Sequence, residues 1–131
     1  DIDNFKNVND TMGHAVGDQV IVGVAHILKN NFTENGFAGR IGGDEFSVII
    51  TLPDKIKPCT ESYEKYILGY YEKVKKDVEA FGKTIGYNVT LSVGTSCENI
   101  PSEELFKLAD KAVYHSKNSG KDQLTFQHKM Q

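Results

Sequence analysis

The residues best equipped for chemistry are carboxylates in two clusters: Asp1 and Asp3 flank Ile2, and Asp44 and Glu45 directly follow Gly42 and Gly43. Hard oxygen donors of this kind suit magnesium or manganese, the ions that phosphoryl-transfer sites use to bridge protein and phosphate. Asp1 and Asp3 are expected to point to opposite sides of an extended chain, which leaves one of them to serve a given site. Gly42 and Gly43 keep the neighbourhood of Asp44 bare of side chains, as a phosphate approaching the backbone requires. Any one of these acids is explained as well by ordinary solvation. The glycine setting is what singles out Asp44 and Glu45.

Other chemical signatures fail on inspection. Asp1-x-Asp3 could open a calcium loop, but Phe5 and Lys6 stand where an oxygen ligand and a glycine are needed. Gly120-Lys121 runs into Asp122, and His115 replaces the earlier glycine of a phosphate-binding P-loop. His14, His26, His115 and His128 are not at zinc-ligand spacings, and no Ser/His/Asp group is legible. Cys59 and Cys97 lie far apart in no metal-like spacing. With no secretory signal and no apolar run of membrane-spanning length, they are expected as reduced thiols of a cytoplasmic domain.

The elements that must position these groups follow from periodicity. At 131 residues the chain has room for one core. Its net charge of -3 argues against a domain built to bind nucleic-acid backbone, though not against a nucleotide. Residues 9–17 are rich in turn formers and read as a loop. Ile21, Val24, Ala25 and Leu28 then recur at helical spacing, which predicts a helix over 18–31 with Asp18 at its positive end. Apolar runs at 37–41 and 46–51 around the glycine pair read as a β-hairpin. A helical stripe from Tyr63 through Ile67, Tyr70 and Val74 to Phe81 follows, ending at Gly82 and Gly86. Tyr87, Val89, Leu91 and Val93 alternate as a strand should. A helix opened by Ser102 and stopped near Gly120 comes next, then a short strand at 124–126. With a further strand ending at Asp1 and Ile2, the order is the split βαβ pattern of ferredoxin-like sheets, an α+β fold with a mostly antiparallel sheet flanked by helices.

Five motifs in register carry a family resemblance. They are Asp1-Ile2-Asp3-Asn4-Phe5-Lys6; Asn9-Asp10, Gly13-His14 and Gly17-Asp18; Arg40-Ile41-Gly42-Gly43-Asp44-Glu45-Phe46; Leu91-Ser92-Val93-Gly94; and Ala109-Asp110-Lys111-Ala112-Val113-Tyr114 with Lys117 and Gly120. In order and spacing they resemble GGDEF domains, the diguanylate cyclase family, over nearly the whole chain. The resemblance implies a nucleotidyl-cyclase-like fold that condenses two GTP molecules into cyclic di-GMP with release of pyrophosphate. It implies a homodimer in which each subunit holds one GTP. By position, Asp1, Asp44 and the carbonyl of Ile2 would ligate magnesium or manganese. Asp44 or Glu45, with Asp44 favoured, would help deprotonate the attacking 3′-hydroxyl. Asn9 and Asp18 would read the guanine edge. Lys6, Lys117 and backbone NH groups near Phe5, Gly42 and Gly43 would contact phosphate, with Lys121 standing where relatives often carry arginine. His14 is expected to be structural.

The same likeness implies a single domain over 1–131 lacking a preceding helix and most of its first strand, with sensory or regulatory sequence lying outside this stretch. Thr33 and Gly36 stand where many relatives carry an arginine and an aspartate that bind product, so inhibition through that site is not expected. No segment is expected to insert into a membrane. The alternative reading is a catalytically silent, GTP-binding regulatory module.

Overall fold

The elements run α1 (Phe5–Met12), α2 (His14–Asn31), β1 (Gly36–Gly42), β2 (Glu45–Ile50), α3 (Glu61–Ile85), β3 (Ser92–Thr95), α4 (Ser102–Asn118) and β4 (Gln123–Phe126), closed by a 3-10 turn at Gln127–Lys129. This is a computed structural model, and it describes residues 1–130. Helix α2 buries Val20, Ile21, Val24 and Leu28 along one stripe, the spacing that marks it in sequence. Helix α3 buries Tyr63, Ile67, Val74 and Val78. Its start is fixed by Thr60, whose hydroxyl accepts from the Tyr63 amide at 3.3 Å. It runs through Gly82 and stops at Gly86, which takes the left-handed conformation that ends many helices.

The segment read as a loop is helical. Residues 5–12 form α1, and α2 begins at His14 rather than at residue 18, so only Gly13 separates the two helices. Phe5, Val8 and Met12 recur at helical spacing, and Val8 is fully buried while Phe5 packs on the same core. The polar residues between them and Gly13 just beyond masked that stripe.

The α+β class holds, with the sheet divided into two ladders. Strands β1 and β2 pair antiparallel as the expected hairpin, with a bulge between Arg40 and Gly42. Strands β3 and β4 pair in parallel, as the helical crossover through α4 requires. Of the strand expected over 87–93, residues 87–89 pair with no strand; Thr90 O accepts from Asp3 N, Leu91 bridges Ile2, and the ladder with β4 begins at Ser92, while Val89 is nonetheless buried. Gly94 lies so close to α4 that a β-carbon would meet the Val113 nitrogen at 2.3 Å and the Ala109 carbonyl at 2.5 Å. That approach explains why the glycine accompanies the alanine-rich face of α4.

Asp1–Asp3 joins the two ladders. Ile2 bridges Leu91 antiparallel, Ser92 N donates to Asp1 O at 2.9 Å, and Ile2 N donates to Asp44 O at 3.1 Å. Between the ladders is a cleft of about 190 Å³, lined by Leu28, Phe46, Ile67, Val74, Leu91 and Val113, with Asp1 and Glu45 also on its wall. Farther along α3, the two cysteines expected as separate thiols form a Cys59–Cys97 disulfide, with α-carbons 5.6 Å apart. Their 38-residue separation hides this proximity, because the β2–α3 and β3–α4 connections meet only in the folded chain.

Candidate active site

The hairpin tip and the Asp1–Asp3 segment meet through the backbone. In an antiparallel bridge the N–H and C=O of one residue point to the same edge. The bonds from Ser92 N to Asp1 O and from Asp3 N to Thr90 O tie the neighbours of Ile2 to the 90–92 side. The N–H and carbonyl of Ile2 therefore face the hairpin, where the N–H meets Asp44 O and the carbonyl takes none of the described bonds. Asp44 is half-buried and Glu45 exposed at the start of β2. Gly43 has φ of 53°, a conformation that a side chain disfavours, and β-carbons at Gly42 or Gly43 would meet nothing within 4 Å. The tip is thus open to an approaching group rather than packed. Arg40 holds its shape by donating from Nε to Gly43 O at 2.8 Å.

Asp1 and Asp3 share a face, which corrects the expectation that they diverge: a period of two sets residues i and i+2 on one side. What separates them is what they bind. Asp1 Oδ2 takes Lys117 Nζ at 2.7 Å, and its Oδ1 has no described partner. Asp3 is buried and committed to structure, with Oδ1 accepting from Ser92 Oγ at 2.5 Å and Oδ2 from Thr90 Oγ1 at 2.8 Å and Asp122 N at 3.0 Å. Sequence reasoning gave Asp3 no such anchoring role, and Ser92 in the Leu91-Ser92-Val93-Gly94 motif was the available hint.

Lys121 lies at the entry of α1, where its Nζ donates to Asn4 Oδ1 at 2.6 Å. Asn4 precedes α1 in the left-handed conformation, and its side chain makes no capping bond. The leading amides of α1, at Phe5 and Lys6, take part in none of the described bonds, so they remain available to an anion. Lys6 itself is exposed on α1.

Asn9 packs across the α1–α2 turn against Gly17, the residue before Asp18. A β-carbon on Gly17 would fall 1.8 Å from Asn9 Oδ1, so the asparagine side chain occupies the space that glycine leaves beside Asp18. Asp18 is exposed and lies a full turn inside α2, which corrects its placement at the helix start and weakens a purely helix-dipole role for it. Gly17→Ala is accordingly expected to push the Asn9 amide aside. Stability should change by less than about 1 kcal/mol, since helix propensity improves as the contact is lost. Nucleotide affinity measured by calorimetry should fall, and an unchanged affinity would detach Asn9 from the base.

The structure therefore gathers Asp1, Ile2, Asp44, Glu45 and Lys117 at one end of α1, with Lys121, Phe5 and Lys6 beside them. Asn9 and Asp18 stand at the other end. Such an α+β domain, with carboxylates at a hairpin tip, has the nucleotidyl-cyclase-like architecture. The family model described as "Diguanylate cyclase, GGDEF domain" matches residues 1–123, and the chain belongs to that family.

Among curated relatives, the chain is 38% identical over 133 residues to Diguanylate cyclase A of Treponema denticola, covering 95% of this chain and 33% of that protein. It is 35% identical over 129 residues to the probable diguanylate cyclase DgcT of Escherichia coli, covering 95% of this chain and 27% of that protein. The chain thus spans a third or less of these relatives' length. Among solved structures, it superposes on the GGDEF domain of DgcB from Caulobacter crescentus in complex with c-di-GMP, with TM-score 0.77 and 27% identity, over 98% of this chain and 74% of that one. It also superposes on diguanylate cyclase SiaD of Pseudomonas aeruginosa in complex with its activator SiaC, with TM-score 0.79 and 30% identity, over 96% of this chain and 47% of that one. No helix among the described residues is long and apolar enough to cross a membrane.

Proposed function

We infer that this domain condenses two GTP molecules into cyclic di-GMP on a carboxylate-bound magnesium or manganese ion, at the interface of a two-fold homodimer in the cytoplasm. The observation that carries the reading is the bond from Ile2 N to Asp44 O, which sets the hairpin carboxylates beside Asp1 and directs the Ile2 carbonyl to the same edge. Two carboxylates and a carbonyl with free oxygens are the donors a hard divalent cation prefers. When bound there, such an ion supplies charge compensation on the triphosphate as pyrophosphate leaves.

The chain's own residues do the rest. Lys117 pairs with Asp1 and Lys121 bonds Asn4, and two cations near the uncapped amides of α1 support phosphate binding at that end. Asn9 lies five residues farther along α1, about 7–8 Å at the helical rise, a separation suited to a nucleotide with phosphates at one end and base at the other. Asp44, with Glu45 beside it, accepts the proton of the 3′-hydroxyl as that oxygen attacks the α-phosphate of the GTP on the partner protomer. Because each protomer holds half of the reacting pair, rate per protomer is expected to rise with protein concentration.

Asp18 accepts from the guanine ring NH and amine, hydrogens that adenine lacks on that edge. Leaving a desolvated carboxylate unpaired costs about 1–3 kcal/mol, or roughly 5- to 150-fold in preference. Products formed from equal GTP and ATP, identified by mass, test the whole reading. The parent should yield cyclic di-GMP almost alone, and Asp18→Ser should lose rate with GTP and gain mixed product. Nucleotide bound without turnover, in a chain joined to a dimerising segment, would favour the silent regulatory module instead.

A further inference from the structure

Three ligand-type side chains far apart in sequence meet near the start of α3, away from the candidate active site. Cys59 and Cys97 are bonded as a disulfide, and His128 Nδ1 lies 3.6 Å from Cys97 Sγ. One ligand atom from each of the three lies within 4.8 Å of the others. His128 Nε2 faces Glu64 Oε2 at 3.2 Å, and the other oxygen of Glu64 accepts from Lys129 Nζ at 2.9 Å. The imidazole is held edge-on by Tyr63 and Phe126, with ring centres 5.7 and 5.8 Å away. Cys97 is buried, Cys59 half-buried, and the His128 side chain only 14% exposed, so the cluster is largely shielded from water.

We propose that, once reduced, this cluster is a binding site for a zinc-class divalent cation, ligated by Cys59 Sγ, Cys97 Sγ and His128 Nδ1 with water in the fourth position. Two thiolates and an imidazole are a soft donor set that suits zinc and disfavours magnesium. In a tetrahedral zinc site, with metal–sulfur near 2.3 Å and metal–nitrogen near 2.0 Å, sulfur and nitrogen ligands lie about 3.5 Å apart. The edge from His128 Nδ1 to Cys97 Sγ already has this length. The two sulfurs must lie about 3.8 Å apart around the same ion, so metal and disulfide exclude one another. Glu64 selects the required tautomer: it accepts a proton-bearing Nε2, which directs the lone pair of Nδ1 at the sulfurs. Cys59 has φ of 61°, a region that residues bearing a β-carbon rarely occupy, so a bond from its side chain has a backbone cost to offset.

The chemistry balances with a small-molecule thiol as reductant. Two equivalents break the disulfide, giving two cysteine thiols and one molecule of the reductant's disulfide. The cation then displaces both thiol protons to solvent. The disulfide staples the β2–α3 and β3–α4 connections, and the metal would tie the C-terminal 3-10 turn to them as well through His128.

The test uses the 131-residue chain, reduced anaerobically with a phosphine, desalted and titrated with cobalt(II) and then zinc(II). The reduced chain should bind one cobalt with a thiolate-to-metal charge-transfer band and d–d bands of tetrahedral intensity, both erased by zinc. The oxidised chain should show neither. Glu64→Gln should weaken zinc binding by about 10- to 100-fold while keeping the charge-transfer band. Cys59→Ser, chosen because Cys59 is less buried than Cys97, should weaken it at least as much and diminish the band, with circular dichroism confirming the fold. A reduced parent chain without the charge-transfer band would overturn the site. So would a band and zinc affinity unchanged in both Cys59→Ser and His128→Gln.

Discussion

Asp44→Asn is expected to remove cyclic di-GMP formation while leaving the fold in place. The Asp44 carbonyl, which anchors Ile2 N, survives the substitution, so the docking of the hairpin on Asp1–Asp3 persists. What disappears is a negative oxygen next to two glycines whose own β-carbon positions stand open. An amide is a weaker donor to a hard cation and cannot accept the proton of a 3′-hydroxyl. Removing one member of a set that acts as a unit should lower the rate by at least about 10³-fold. Unfolding free energy should move by less than about 0.5 kcal/mol, as for a half-exposed polar exchange. Product yield by mass and denaturant midpoints measure the two quantities. Retention of most of the activity would remove Asp44 from the chemistry.

Asp3→Ala should act the other way, through the fold. The carboxylate of Asp3 accepts three bonds, from Ser92 Oγ, Thr90 Oγ1 and Asp122 N, and Ser92 is wholly buried. Truncation leaves those donors facing a cavity. Unpaired buried groups cost about 1–3 kcal/mol each, and a total loss of about 3–5 kcal/mol is expected after partial relaxation. Asp3→Asn restores an acceptor but turns an amine toward one of the same donors, so it should recover only part of the loss. Activity should fall with stability, because Asp3 ties the segment carrying Asp1 to the loop after α4. A midpoint shift equivalent to less than about 1 kcal/mol for Asp3→Ala would show that water replaces the carboxylate without penalty.

These two aspartates differ in how far their positions are legible in the sequence. The place of Asp44 at a hairpin tip was legible because it is set locally: two glycines bare the turn, the carboxylate follows at once, and apolar runs on both sides make the hairpin. Asp1 and Asp3 are alike in sequence, and their difference in role depends on residues about ninety and more than a hundred positions away, Ser92 and Asp122 for Asp3 and Lys117 for Asp1. Asp18 lies a full turn inside its helix rather than at the start expected from the sequence. The short stripe of Phe5, Val8 and Met12 is too brief to outweigh the turn formers around Gly13.

By itself the sequence determined the hairpin, the long stripes of α2 and α3 and the register of motifs that carries the family, because each rests on spacing within a few turns of chain. The tertiary structure alone decided three further things. It divided the strands into two ladders, since pairing requires a neighbour that local alternation cannot supply. It set Lys121 against Asn4 across 117 positions, so that a lysine from beyond α4 stands at the entry of α1. It also brought Cys59, Cys97 and His128 together from spacings that no metal motif would flag, because ligand geometry is fixed by where chain segments pack and not by how far apart they lie in sequence.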